Sequence, residues 1–226
     1  MIKPLEKINL EFEKNFQAIF NTPKLTQKYL NQRSDIFDEL IIDEFLKRKL
    51  ENDFAIVALG GYGRRELYPS SDIDLSIIQL TKKTKKIDDV RDFIGWLWTL
   101  KVKIGHSVRT IKDIDKITRS DLKEFTSYLS NRVIYCNRNN INDLNQNLKK
   151  ISSNWNKTKF FNAKKLEQQR RYQSFDSTEF SLEPDLKESP GCLRDFQTAL
   201  WVLEHCFEIE KLEDCIKIKL FKKIEI

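Results

Sequence analysis

Two aspartates, Asp72 and Asp74, stand one residue apart where a loop gives way to an apolar run. In a strand, alternate side chains share a face. The two carboxylates would therefore project together, with Cα atoms about 6.5–7 Å apart. Hard oxygen donors so placed suit Mg²⁺, and paired ions there would clamp the attacking and leaving oxygens of an in-line phosphoryl displacement. The residues just upstream supply the other half of such a site. Gly60-Gly61 closes an apolar run and lets backbone amides approach a ligand closely. A helix starting just after it would aim free N–H groups at an anion. Arg64 and Arg65 add charge-assisted donors for phosphate oxygens. Asp-x-Asp alone is common in turns and Gly-Gly alone is usually only a turn. The joint pattern, strand–Gly-Gly–x-x-Arg–Ser-Asp-x-Asp–strand, reads as a nucleotidyl-transfer site.

The elements that must position these groups follow from periodicity. Phe54–Leu59 is a continuous apolar run of the kind a buried strand shows, and it stops at the two glycines. Residues 62–71 form a short loop-and-helix connection broken by Pro69, and 72–80 make a second strand. Residues 87–101 carry a helical apolar face through Val90, Phe93, Ile94, Leu97, Trp98 and Leu100. Residues 106–110 read as a third strand. Helical spacing covers 5–20 and 25–50, then 121–136, 141–151, 157–175 and 192–208, interrupted at Pro184 and at Ser189-Pro190-Gly191. The expected class is α+β: a small mixed sheet with flanking helices, followed by a helical layer. The expected division is N-terminal helices over 1–50, a core over 51–150 and a helical region over 151–226.

Composition narrows the classes. Hydrophobic residues make up 40% and charged residues 33% of 226, so the chain can bury a core and is not a disordered tail. No run approaches the roughly 20 apolar residues of a membrane span, and the N-terminus lacks a signal-peptide apolar region. A soluble cytoplasmic protein is expected. Cys136, Cys192, Cys206 and Cys215 form no CxxC pair, and with only two histidines a structural zinc site is not expected. The net charge of +6 is spread over the whole chain, densest at 81–86, and reads as solvated surface. No aromatic and arginine array of the RNA-binding type is present, so nucleic acid is not an expected partner.

Gly60-Gly61-Tyr62-Gly63-Arg64 with Ser71-Asp72-Ile73-Asp74 resembles the signature of the DNA-polymerase-β-like nucleotidyltransferase superfamily. Within it, three blocks resemble the bacterial PII uridylyltransferase (uridylyl-removing) family: ALGGYGRRELYPSSDIDL (58–75), WLWTLKVKIGHSVRT (96–110) and SLEPDLKESPGCLRDFQTALW (181–201). The resemblance implies transfer of UMP from UTP to a tyrosine hydroxyl of the nitrogen-signalling protein PII, with pyrophosphate leaving. Asp72 and Asp74 would be the catalytic, Mg²⁺-holding pair. Gly60, Gly61 and Ser71 would hold the β/γ-phosphates, and Arg64 fits the superfamily arginine. Lys187 and Arg194, flanking the Ser-Pro-Gly turn, would be triphosphate or base-side contacts, with salt bridges, for instance to Glu188 or Asp195, as the structural alternative. Two positions depart from the family, which usually has glycine at Arg65 and Cys192. If the turn at Arg65 requires positive φ, the strain is about 1 kcal/mol or more. The superfamily's third carboxylate is absent. Ser107 sits about at its place, and His106 beside it reads as a structural side chain or a base.

The resembled enzymes also carry a His-Asp phosphohydrolase domain and glutamine-sensing ACT domains. With two histidines and no His-Asp pair, this chain is expected to be the transferase part alone, truncated before both. Incubation with UMP-modified PII should then release no UMP, and metal-dependent release that survives repurification would contradict this. A further expectation is an exposed apolar face around Leu200, Trp201, Leu203 and Phe207 that favours self-association. The alternative to an active transferase is a degenerate chain that binds nucleotide or PII without turnover.

Overall fold

The computed structural model describes residues 3–100, 102–176, 185–209 and 214–215. Three helices come first: α1 (Lys3–Lys14), α2 (Phe16–Phe20) and α3 (Pro23–Lys47). Proline in the first turn of α3 lacks an N–H that the turn would have left unpaired. Along α3, Tyr29, Arg33, Phe37, Ile41 and Phe45 recur every four residues and are all buried, so one stripe faces inward. Strand β1 (Phe54–Leu59) runs directly into the short helix α4 (Gly60–Gly63). There follow β2 (Ile73–Gln79), α5 (Ile87–Trp98), β3 (Ile104–Thr110), α6 (Ile111–Thr118) and α7 (Leu122–Leu129). Then come β4 (Arg132–Tyr135), α8 (Ile141–Ile151), α9 (Lys157–Asp176) and α10 (Leu193–Phe207).

The sheet order is β3-β2-β1-β4. β1 is antiparallel to β2 and β4, and β2 is parallel to β3. The parallel pair is the one joined through a helix, α5, because parallel neighbours need a crossover. This is the expected α+β class with a small mixed sheet. Period-two alternation sorts the strands between two cores. On one face Ile56, Ala58, Ile73, Leu75 and Ile77 pack with Phe37, Ile41 and Phe45 of α3 and Val90, Phe93 and Leu97 of α5. On the other, Ala55, Val57, Leu59 and Ile78 pack with Ile114, Tyr128, Leu144 and Leu148 from α6, α7 and α8.

The structure corrects two readings. The helix expected over 121–136 ends early. Asp121 caps α7 by accepting from the amides of Lys123 and Glu124, and the helix stops at Leu129. Residues 132–135 then form β4 against β1. A four-residue strand is too short to show its period, and the unpaired edge of β1 decides the outcome for Val133, Ile134 and Tyr135, which favour strands. The exposed apolar face expected on the last helix is largely covered. Trp201 is 8% exposed against Phe125, Leu129, Trp155 and Phe160, and Leu203 is 8% exposed beside Ile209 and Cys215. Along α10 the exposed large apolar side chains are Leu193, Phe196 and Phe207. Periodicity shows that a helix face is apolar, not which neighbour lies on it. Pro184 and residues 216–226 of the Lys/Ile-rich tail lie outside the described residues. No described helix is long and apolar enough to cross a membrane.

Candidate active site

β1 and β2 meet where the chemistry-bearing residues lie. Leu59, the last residue of β1, pairs with Asp74, so Gly60 begins its turn beside that carboxylate. Gly60 has φ of +56°, the left-handed region that glycine enters without the clash of a Cβ. A Cβ built there would lie 3.7 Å from Asp74 Oδ2. Asp72 and Asp74 are both exposed while Ile73 between them is buried, so the two acids share one face, as the strand period requires. That face is the one lined further along by Ser76 and Ile78. Although Asp74 opens to solvent, the protein packed around its carboxyl disfavours the charge and pushes it above its usual range; the Asp72 carboxylate pushes it further up, and the Lys187 ammonium pulls it back.

The turn between the strands is gripped from α3. Tyr62 Oη donates to Asp38 (2.6 Å), and Arg132 of β4 donates to both Asp38 oxygens (2.6 and 3.1 Å). Buried Arg33 donates to the Pro69 carbonyl (3.1 Å), fixing the loop that delivers Asp72. Arg65 has φ of +60°, so the strain expected at this non-glycine residue is present. Its side chain pairs with Asp35 and lies 3.8 Å from Asp38. These acids of α3 offset the strain by holding the turn in place. Cys192, the other departure, sits at the N-cap of α10 with φ of −92°, a backbone any residue adopts.

The remaining expected site residues fall into two groups. Ser71 Oγ accepts from the Tyr68 amide (3.1 Å), closing the turn and leaving its own proton to donate. Lys187 is exposed and near enough to Asp74 to act on it electrostatically, although the two are 113 positions apart in the chain. Arg64 and Arg194 are already engaged. Arg64 holds Glu66 (2.7 Å) and donates to Ser130 Oγ (3.0 Å), while Arg194 takes the salt-bridge alternative with Glu188 (2.7 Å). An anion arriving near either arginine competes with a carboxylate. Because Lys187 is exposed, Lys187→Met should leave thermal unfolding within about 1 °C. On the sequence-based expectation of a nucleotide site, it should raise the KM for UTP about tenfold, the loss of one charge beside the acids. Steady-state kinetics alongside a melting curve checks both.

No third acid joins the pair: among the described residues there is no group of three or more His, Cys, Asp or Glu side chains arranged for a metal. Ser107 lies on the acid face, paired in register with Ser76, whose hydroxyl is 2.7 Å from Tyr128 Oη. The Ser107 side chain lies near the same Tyr128 hydroxyl. His106 belongs to the opposite face, next to Leu75 in register, and meets Trp98 edge-on at 5.7 Å, which removes it as a base for this site. Two carboxylates still fit Mg²⁺, which keeps several waters and takes one or two protein carboxylates together with substrate phosphates. The mutual repulsion of the acids is what a cation would relieve.

Sequence reasoning missed the supports of the site. Asp38 gathers Tyr62, Arg132 and Arg65, and nothing in its helical context marks it. In the sequence Asp195 stands out only as a salt-bridge partner for Lys187 or Arg194. In the structure it accepts from Arg171, Tyr172, Gln168 (2.8 Å) and the Gly191 amide (2.6 Å), tying α9 to the turn that carries Lys187. Partial burial raises the Asp195 carboxyl, but hydrogen bonds from Tyr172, Gln168, Gly191 and Arg171 outweigh it and hold the group at about 2.

A mixed sheet bearing an Asp-x-Asp strand beside a Gly-Gly turn, with a helical layer bringing a lysine to the acids, defines a nucleotidyltransferase-like protein. Residues 159–226 match the family described as GlnD PII-uridylyltransferase. The bifunctional uridylyltransferase/uridylyl-removing enzyme of Haemophilus influenzae (strain PittEE) is 37% identical over 191 residues, covering 83% of this chain and 22% of that protein. The enzyme of the same name from Pseudoalteromonas translucida (strain TAC 125) is 38% identical over 190 residues, 83% of this chain and 22% of its own length. That from Idiomarina loihiensis is 34% identical over 216 residues, 93% of this chain and 24% of its own. The chain belongs to the PII uridylyltransferase/uridylyl-removing family, and it spans about a quarter or less of the length of these curated relatives.

Proposed function

We propose that this chain is a Mg²⁺-dependent nucleotidyltransferase that moves UMP from UTP to a tyrosine hydroxyl of the nitrogen-regulatory protein PII. The observation that carries the reading is the shared face of Asp72 and Asp74 beside Gly60, with Lys187 close by. The acceptor oxygen attacks the α-phosphorus, the bond to the oxygen bridging toward the β-phosphorus breaks, and pyrophosphate leaves with that bond's electrons. The phenolic proton passes to solvent. Bound Mg²⁺ supplies charge neutralisation of the triphosphate and eases loss of that proton, whose unperturbed pKa is about 10.

The chain's own groups do the rest. Asp72 and Asp74 would hold the cation. The first-turn amides after Leu59 face the phosphates, because a helix start leaves its N–H groups without helical partners. Lys187 adds a point charge from the helical layer. Incubating the protein with PII, Mg²⁺ and UTP labelled at the α-phosphate tests the reading. Label should appear on PII and not with the Asp74→Asn variant. A second reading, nucleotide binding without turnover, draws on the carboxylate partners already held by Arg64 and Arg194. UTP retention with no label on PII would favour it.

A further inference from the structure

Gly105 lies in β3 opposite Asp74. A glycine inside a strand weakens it and calls for a reason: a bulge, a special backbone or a close approach. The β2–β3 register is unbroken from Ile73↔Ile104 to Gln79↔Thr110, so there is no bulge. Gly105 is absent from the positive-φ residues, so its backbone suits any amino acid. A close approach remains, and it is specific. A Cβ built on Gly105 would stand 2.3 Å from Asp74 Oδ1 and 3.5 Å from its Cγ, with nothing else among its close neighbours. The Asp74 carboxylate therefore lies across the edge strand, with one oxygen over Gly105 and the other toward Gly60.

The other glycines show how particular this is. At Gly63 a Cβ would meet the carbonyl oxygens of Ser130 (2.0 Å) and Ala58 (3.1 Å), backbone atoms that cannot step aside. At Gly95 a Cβ would meet nothing within 4 Å. The atom met at Gly105 is the tip of a short side chain that turns about its χ angles. The fold can accept a methyl group there; the carboxylate cannot keep its place. We propose that Gly105 is a positioning residue, whose missing side chain holds Asp74 in the orientation that faces cation and triphosphate. This rests on the nucleotidyltransferase reading for its consequence, though not for its geometry.

Gly105→Ala should weaken Mn²⁺ binding, read by electron paramagnetic resonance in the presence of UTP, by about 10- to 100-fold, the range for losing a support behind a ligand. The rate of UMP transfer should fall by about 100-fold, as misplacement near 1 Å does. Gly95→Ala is the control and should match the wild type in both. A crystal structure of Gly105→Ala should show the Asp74 carboxylate rotated, with the sheet register kept. In an Asp74→Ala background, Gly105→Ala should leave residual Mn²⁺ binding unchanged, since the contact is gone, and should hold or raise the melting temperature, since alanine suits a strand better than glycine. An unrotated Asp74 in the Gly105→Ala crystal structure overturns the proposal, whether or not the protein turns over UTP. So does wild-type Mn²⁺ affinity in that variant. Failure of the wild-type protein to label PII counts against the functional reading alone, because the rotation of Asp74 is read without turnover.

Discussion

On the proposed function, Asp74→Asn should lower UMP transfer by on the order of a thousandfold or more, and it should do so without unfolding the protein. The side chain is isosteric and exposed, and its β2 neighbours Ile73 and Leu75 keep their places in the core. Stability should hold or rise at neutral pH. The Asp74 carboxyl is raised by the protein packed around its open side chain and by Asp72, so its ionised form opposes folding above the ordinary carboxylate range. That opposition fades as pH falls and the group takes up a proton. Neutral asparagine removes it at every pH, so the melting temperature at pH 7.5 should equal or exceed the wild type. Such a trade between stability and function is common where like charges are held together for a ligand. A variant that melts several degrees lower while still labelling PII would mark Asp74 as a structural residue.

Among the charged side chains around the site, a large effect on stability is expected at Asp195. Asp195→Ala leaves Arg171 without its carboxylate, and both side chains are mostly buried, with 11% and 16% exposure. Removing one partner of a buried pair costs about 3–5 kcal/mol; the partial exposure here lowers the expectation to about 2–3 kcal/mol. For a chain of this size that is roughly 5–10 °C in melting temperature. Acid denaturation gives a second readout. The folded carboxyl sits at about 2, below its ordinary value near 4. Its stabilising contribution is thus full above about pH 4 and is lost as pH falls toward 2. The alanine variant should lose that part of its acid sensitivity, visible when melting curves are taken stepwise across this window. Because the Gly191 amide and the Lys187 turn hang on the same carboxylate, the KM for UTP should rise as well.

The acid pair, the Gly-Gly turn and the first two strands were legible from residues 54–79 alone. Their logic is local: alternation along one strand puts Asp72 and Asp74 together, and two glycines end another. The helices of residues 141–151 and 157–175 were equally plain, since their apolar spacing repeats over several turns. Four-residue β4 was not, because its conformation depends on the free edge of a strand more than 70 positions earlier. The arginines divided the same way. Their charge was visible, but whether Arg64 and Arg194 meet a ligand or a carboxylate depends on how the chain brings Glu66, Ser130 and Glu188 around them.

By itself, then, the order of amino acids determined the chemistry on offer: two hard oxygen donors, a close-approach turn and a supply of cations. Tertiary structure decided which of these meet. It carried Lys187 across the chain to the acids, turned His106 to the far face, and laid the Asp74 carboxylate over Gly105. The physical reason is range. Strand alternation and turn geometry act over a few residues, whereas a contact between distant segments exists only once the core has packed them together.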